Sequence, residues 1–245
     1  MASEGKKVVI AFDLYGTLLS TESIATELAQ LYGEESAKEL AAQWRRYQLE
    51  YTWRINSMGT YRSFSELTRA ALKHAVAEKK LALSKEDEER LMDAYNGLQT
   101  FPEIKDALEI VENAPTIDAY VFSNGTDDMV GTSMKTSPDL SRMSHVFGPT
   151  RLITVEEVQC FKPSPKTYEH FARKVSMSDQ KSAIWLISSN PFDALGARAA
   201  GWKSAWIDRA GVGWVDALGS TIGQEPSVVV NGVDEALRKI VEISK

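Results

Sequence analysis

Val8-Val9-Ile10-Ala11-Phe12-Asp13-Leu14-Tyr15-Gly16-Thr17-Leu18-Leu19 is the stretch from which the fold is read. Val8 to Phe12 follow one another without alternation, as in a parallel strand covered on both faces. A carboxylate comes next, with a glycine and a threonine close behind. Charged side chains are almost never fully buried without a partner, and ligands of open α/β sheets bind beyond the carboxyl ends of the strands. Asp13 therefore stands where a nucleophile or a ligand-holding carboxylate belongs. Taken alone, the stretch is equally compatible with a turn or helix-capping aspartate.

The bulk properties set the frame. The 245-residue chain is 43% hydrophobic and 25% charged, with a net charge of −6. It is long enough for one sizeable core plus a lid, or for two small domains. The acidic balance disfavours a general nucleic-acid or anionic-membrane surface, while leaving room for a local cationic pocket. Cys160 is the only cysteine, so no intramolecular disulfide forms, which fits a reducing compartment. The segment 1–7 lacks the apolar region and cleavage site of a signal peptide. No run approaches the roughly 18 apolar residues of a membrane helix. The expectation is a soluble, cytoplasmic protein.

Beyond Thr17 the pattern turns helical, from about residue 22 to 99. Leu40, Trp44, Tyr47 and Tyr51 fall at helical spacing within 35–56, with Arg45 and Leu49 four apart on a neighbouring face. Further helices are expected over 63–79 and over 84–97, the latter capped by Ser84 with Asp87 three residues on. Gly97 and Pro102 mark the exit. Strands and helices then alternate: a helix at 103–113, a strand at 119–123 with a turn at Asn124-Gly125, a short strand at 151–154, and a helix at 165–175. A strand at 183–187, a helix at 192–200 closed by Gly201, strands at 203–207 and 227–230, and a C-terminal helix complete the series. Such alternation implies a parallel sheet with helices on both faces. The all-helical insertion after the first strand implies a cap over the carboxyl edge of the sheet.

Polar groups gather at strand ends that lie far apart in sequence: Asp13, Ser123-Asn124, Lys162, and Ser188-Ser189-Asn190 with Asp193. If the strands are neighbours, all face one crevice. Each has an ordinary reading on its own. The serines suit turns, Lys162 suits a solvated loop, and Asp193 suits the first turn of a helix. Their joint order is the stronger signal.

Phe12–Leu18 resembles the first motif of the haloacid dehalogenase superfamily, whose nucleophile is the leading aspartate. Many phosphatases of that superfamily carry a second acidic residue two positions on; here it is Tyr15, which argues for the dehalogenase branch. The resemblance to L-2-haloacid dehalogenases covers nearly the whole chain. It rests on Phe12–Thr17, Trp44-Arg45 with Gln48–Trp53, and Ser123-Asn124-Gly125. It continues through Lys162-Pro163 with Tyr168-Glu169, and Ser188-Ser189-Asn190 with Asp193 and Gly196-Ala197-Arg198. Trp44–Trp53 is the discriminating segment, because the superfamily at large shares only the core motifs.

The resemblance implies a Rossmann-like α/β core over 1–20 and 100–245, a helical cap over 21–99, and no metal or organic cofactor. It also implies a homodimer, joined around Trp53 and the helix after Ser63. Asp13 would displace halide from the 2-carbon of a short L-2-halo acid with inversion, and water would then release the D-2-hydroxy acid from the Asp13 ester. Splitting one hard substitution into two steps, with in-line positioning, is what such chemistry needs. Lys162 would keep Asp13 ionised. Ser123, Asn124 and nearby backbone N–H groups would hold the substrate carboxylate. Arg45 would meet the halide or the anionic substrate, unless it is a plain helix-surface arginine. Asp193, with Asn190 and Ser188, would activate or orient the water. Thr17 and Tyr168 would support the nucleophile. Leu14, Tyr15, Leu49, Phe64 and Phe192 would form the apolar wall of the substrate site, or simply pack the core.

Three residues depart from the family pattern as it resembles this chain. Arg46 replaces a glutamine and would add charge near the entrance. Phe192 replaces a tryptophan and loses an indole donor. Asp208 replaces an asparagine. His74, His145 and His170 follow no metal spacing, Cys160 has no activating partner, and the six tryptophans form no stacking strip for nucleic acid. The alternative readings are a related hydrolase acting on another 2-substituted acid such as azetidine-2-carboxylate, a phosphatase, and a binding protein without catalysis.

Overall fold

The computed structural model describes residues 7–244. Strand β1 (Val8–Phe12) is followed by helices α1 (Ala25–Tyr32), α2 (Glu34–Ser57), α3 (Phe64–Glu78) and α4 (Lys85–Tyr95) before any further strand. Next come α5 (Ile104–Asn113), β2 (Ile117–Ser123), α6 (Asp127–Thr136), α7 (Pro138–Arg142) and β3 (Leu152–Thr154). The chain then forms α8 (Pro165–Lys174), β4 (Ile184–Ser188), α9 (Pro191–Ala199), β5 (Lys203–Ile207), α10 (Ala217–Ile222), β6 (Val228–Val230) and α11 (Val233–Ile243).

The sheet is parallel throughout, in the order β3-β2-β1-β4-β5-β6. β1 lies inside it, with Phe12 level with Val121 of β2 and Ile187 of β4. The chain winds outward from β1 to β3, then returns to the other side of β1 and winds outward again. Asp13 follows β1 at that reversal, where open α/β sheets form their ligand crevice. Val9 to Phe12 and all of β4 are buried, which explains the unbroken apolar runs.

The helical insertion packs on itself. α2 buries Leu40, Trp44 and Tyr47, and α3 buries Phe64, Leu67, Ala71, Leu72 and Val76. A capping box begins α3: the Ser63 hydroxyl accepts the Glu66 N–H, and the Glu66 carboxylate accepts the Ser63 N–H at 2.9 Å. Ser84 caps α4 by accepting the Asp87 N–H at 3.0 Å.

Three helices escape the sequence reading: α6, α7 and α10. α6 and α7 are short, each started by a capping hydroxyl from Thr126 and Ser137. α10 has only Gly219 buried, so it has no apolar stripe to announce it. The expected interface helix α3 spends its apolar face inside the insertion; the large apolar side chains left exposed there, among the described residues, are Trp53 of α2 and Met58 just after it. No helix of the described residues is long and apolar enough to cross a membrane.

Candidate active site

Asp13 ends β1 and enters a tight loop. The Leu14 carbonyl accepts the N–H groups of Thr17, Leu18 and Leu19, at 3.2, 3.0 and 2.9 Å, so Leu14 organises the loop from a fully buried position. Gly16 has φ +89°, a conformation that glycine adopts without a Cβ penalty. The loop brings Thr17 back onto the nucleophile position.

The two carboxylate oxygens of Asp13 have unequal surroundings. Oδ2 accepts from the Asn190 amide at 2.6 Å, the Thr17 hydroxyl at 2.8 Å and the Ser188 hydroxyl at 3.0 Å. Oδ1 accepts from the Lys162 ammonium at 3.1 Å. Ser188 closes β4 and Asn190 caps α9, so sheet register brings both beside β1. Lys162 spends its other donors on Asp193 Oδ2 at 2.6 Å and the Phe122 carbonyl at 2.9 Å. Asp193 Oδ1 accepts the Tyr168 hydroxyl at 2.6 Å. That last contact requires α8 and α9 to approach closely at Gly196, where a Cβ would overlap the Tyr168 hydroxyl.

This cluster is buried, and its charges are mutually stabilised. Burial alone pushes the Asp13 carboxyl up, but Lys162, the Thr17 bond and Arg45 outweigh it and hold it below the ordinary aspartate value. Burial likewise pushes Lys162 down, and the carboxylates of Asp13 and Asp193 overcome it, so its pKa is raised. In Asp193 burial prevails, helped by the Asp13 charge, and carries it to about 6 despite Lys162. Burial and the Asp193 charge keep the Tyr168 phenol protonated well above its usual range.

Arg45 reaches the site from α2. Its Nη2 donates to the Tyr15 carbonyl at 3.0 Å and to Asn190 Oδ1 at 3.3 Å. Its Nη1 donates to Gln48 Oε1 at 2.7 Å, which also accepts the Tyr95 hydroxyl at 3.0 Å. The Gln48 amide in turn donates to Thr68 Oγ1 at 2.7 Å. Three insertion helices thus aim one guanidinium. Gln48 and Tyr95 were not singled out as site residues, although Gln48 stands three residues from Arg45, within reach on one helix.

Asp13, Tyr15, Arg45, Leu49, Phe64, Asn124 and Phe192 border a cavity of about 10 Å³, together with Lys162 and Asn190. That is room for about one water. Trp53 stands edge-on to Phe192, ring centroids 5.3 Å apart, at the seam between insertion and core. A larger, mainly apolar groove of about 650 Å³ lies between α6, α7 and β3 and shares none of these residues. Size here does not mark the chemistry.

Several expected residues lie elsewhere. Ser123, Leu14, Thr17, Tyr168, Ser188 and Asp193 do not border the cavity. The Ser123 hydroxyl accepts the Gly125 N–H at 3.0 Å and shapes the loop that presents Asn124. Arg46, one residue past Arg45 on the helix, is turned to solvent near Glu78. Asp208 accepts the Gly213 N–H at 2.6 Å and shapes the loop after β5. Its neighbour Arg209, unremarked in the sequence, donates to the Thr17 carbonyl and to Glu103, 2.7 and 2.6 Å away, bracing the nucleophile loop from behind. Ser189 does so too, through the Gly16 carbonyl and the Thr17 hydroxyl. His170 is buried in α8.

A family model for haloacid dehalogenase-like hydrolases matches residues 8–201. The chain is 31% identical to the (S)-2-haloacid dehalogenase 2 of Pseudomonas sp. (strain CBS-3), across 92% of each chain. It is 33% identical to the haloacetate dehalogenase H-2 of Moraxella sp. (strain B), across 88% of this chain and 92% of that one. Among solved structures, an L-2-haloacid dehalogenase superposes with a TM-score of 0.84 at 27% identity, covering 96% of this chain and 99% of the other.

Proposed function

The chain belongs to the haloacid dehalogenase-like hydrolases, and we infer that it hydrolyses the carbon–halogen bond of short L-2-halo acids to give D-2-hydroxy acids and halide. The unequal holding of the two Asp13 oxygens carries this reading. Oδ2 is fixed by three donors, while Oδ1 has one ammonium beside it, on a carboxylate that borders the cavity. Oδ1 attacks C2, the C2–halogen bond breaks with inversion, and halide leaves. Water then attacks the Asp13 carboxyl carbon, and the ester bond to the 2-hydroxy acid breaks. Lys162 stabilises the carboxylate before attack and after release.

Other roles follow from position. Arg45 and Asn124 hold the anionic substrate or the departing halide, and Phe192, Leu49, Phe64 and Tyr15 enclose the alkyl chain. Tyr15 puts a ring, stacked on Phe64 at 5.8 Å, where a phosphatase would carry its second acid. Asp193 has both oxygens engaged by Lys162 and Tyr168 and is sealed from the cavity, which favours orienting the ammonium over direct contact with the water. Ser123, Ser188, Thr17, Tyr168 and Asn190 keep the set in register.

A cavity of about 10 Å³ is too small for a halo acid, so the segment 21–99 acts as a cap that parts from the core (1–20 and 100–245) to admit it and then excludes water. A homodimer is the proposed assembly, supported by exposed Trp53 and Met58. The cytoplasm is the proposed compartment, supported by the single cysteine. The relatives reported above are dehalogenases, and nothing favours azetidine-2-carboxylate or a phosphate ester as substrate.

The test is halide and D-lactate release from L-2-chloropropionate, followed by a single turnover in ¹⁸O-water. The label is expected on Asp13, and Asp13→Asn is expected to lose at least about ten-thousandfold in kcat. Normal turnover by Asp13→Asn, or label found only in the lactate, overturns the reading.

A further inference from the structure

The position of Lys162 is set by a loop without regular structure. The chain leaves Gln159 in a left-handed conformation and runs through Cys160, Phe161 and Lys162 into Pro163. No strand or helix ladder pairs the backbone groups here, yet buried polar groups need partners. A turn supplies one of them, the Phe161 carbonyl accepting the Ser164 N–H at 3.0 Å, and two asparagines provide the others. Asn124, after β2, accepts the Lys162 N–H at 2.9 Å. Asn56, at the end of α2, takes both polar groups of Phe161: its amide donates to the Phe161 carbonyl at 2.7 Å, and its Oδ1 accepts the Phe161 N–H at 3.0 Å.

We propose that Asn56 is a positioning residue for the reaction, gripping Phe161 from the insertion so that the adjacent Lys162 is presented to Asp13. The proposal rests on the dehalogenase reading and adds a residue to it. A carboxamide is the side-chain group that offers a donor and an acceptor side by side; aspartate would repel the Phe161 carbonyl, and alanine would leave the buried N–H without its partner. Phe161 is also packed from the insertion side, its ring 5.4 Å from Tyr61 and 6.1 Å from Phe64. By contact, the residue before Lys162 thus belongs to the insertion, although by sequence it belongs to the core.

Asn56 shares α2 with Arg45, about 16 Å further along the helix. One rigid element therefore carries both the guanidinium and the grip on the ammonium's backbone. When α2 is seated, both cations are in place together. The Lys162 side chain is fully buried and its ammonium is held by three acceptors, so its stem has little room to absorb a shift of the adjacent Phe161 backbone. The titratable and charged groups around Lys162 are Asp13 after β1 and Asp193 on α9, with Tyr168 of α8 behind Asp193 and Arg45 of α2 beside Asp13. Loosening Lys162 removes the charge that lowers both carboxyls, so both are expected to titrate at higher pH.

The experiment compares full-length Asn56→Ala and Asn56→Asp with the parent, using exposed Ser57→Ala as a control. Halide release from L-2-chloropropionate is followed across pH, and Asn56→Ala is crystallised. Both Asn56 variants are expected to lose roughly ten- to a hundredfold in kcat, with KM within about twofold. The acid limb of the profile is expected to rise by about one pH unit, with Ser57→Ala unchanged. In the crystal, Lys162 Nζ is expected to move away from Asp13 Oδ1. A parental pH profile in Asn56→Asp, or a Lys162–Asp13 contact unchanged in the Asn56→Ala crystal, overturns the proposal. If the parent itself releases no halide, the reaction assignment has failed, and the crystal of Asn56→Ala still decides the role of Asn56.

Discussion

The two halves of the closed site are built on different principles. On the core side, Asp13, Ser188 and Asn190 follow adjacent parallel strands, and their meeting is a consequence of register between β1 and β4. On the insertion side, Arg45 rides a 24-residue helix and is aimed by a buried hydrogen-bond network through Gln48, Tyr95 and Thr68. The core half sets the charge of Asp13 in a buried cage of hydrogen bonds. The insertion half completes and seals it. A sheet sets the one half by strand register; the other half depends on helix packing and side-chain hydrogen bonds.

The sharpest way to break that contrast is Lys162→Met. It leaves Asp13 and Asp193 without their shared cation, and removal of one partner from a buried pair costs roughly 3–5 kcal/mol. Urea unfolding is expected to report that loss, together with a fall in kcat of roughly a thousandfold. Stability equal to the parent would show the core cage to be no more rigid than the insertion.

A smaller effect is expected from pH. With Asp193 near 6, kcat/KM should fall about tenfold per unit below that value. The limb belongs to the coupled Asp13–Lys162–Asp193 cluster. Stability moves the other way for Asp193: its raised pKa makes the folded state the tighter proton binder, so acidification through 6 stabilises through this group. Asp13 has a lowered pKa, and its contribution is lost only at lower pH, as the medium falls through the folded value. A pH–rate profile beside a pH–stability series measures both; a flat profile from pH 7 to 5 would remove Asp193 from the reaction.

The mildest prediction concerns the insertion. Gln48→Met keeps volume but removes the acceptor of Arg45 and Tyr95, and about a tenfold loss in kcat/KM is expected, with little change in Asp13 labelling. A loss as large as that of Lys162→Met would show that both halves act on the nucleophile.

Much of the core was legible because its signals are local. Val8–Phe12 could hardly be anything other than a covered strand, and the order of strands and helices after 102 needed only apolar runs and their punctuation. Ser84 announced α4 by the chemistry of capping. α7 and α10 were not legible, because five- and six-residue helices with little buried apolar surface have almost no period to read; α6, which buries Met129, Val130 and Met134, was simply passed over. In the site, residues that recur in a motif were named, while those acting through backbone groups were missed. Asn56 holds the peptide of Phe161 and Arg209 holds the carbonyl of Thr17, and nothing in an asparagine or an arginine says which distant carbonyl it will meet. Arg46 and Arg45 show a related limit, since adjacency in sequence is a turn of about 100° on a helix and only one of the two reaches Asn190.

By itself, the order of residues determined the strand with its terminal carboxylate and the helical insertion, which depend on side-chain type and short spacing that folding does not alter. The set of groups able to act on a carbon–halogen bond was read from the resemblance of its motifs to L-2-haloacid dehalogenases. Only the tertiary structure decided how the donors divide between the two oxygens of Asp13, that Asp193 answers to Lys162 and Tyr168, and that a helix end from the insertion grips the backbone beside the lysine. Those are contacts between groups more than a hundred residues apart in several cases, and hydrogen-bond geometry over such separations exists only once the sheet has closed its register and α2 has seated against it.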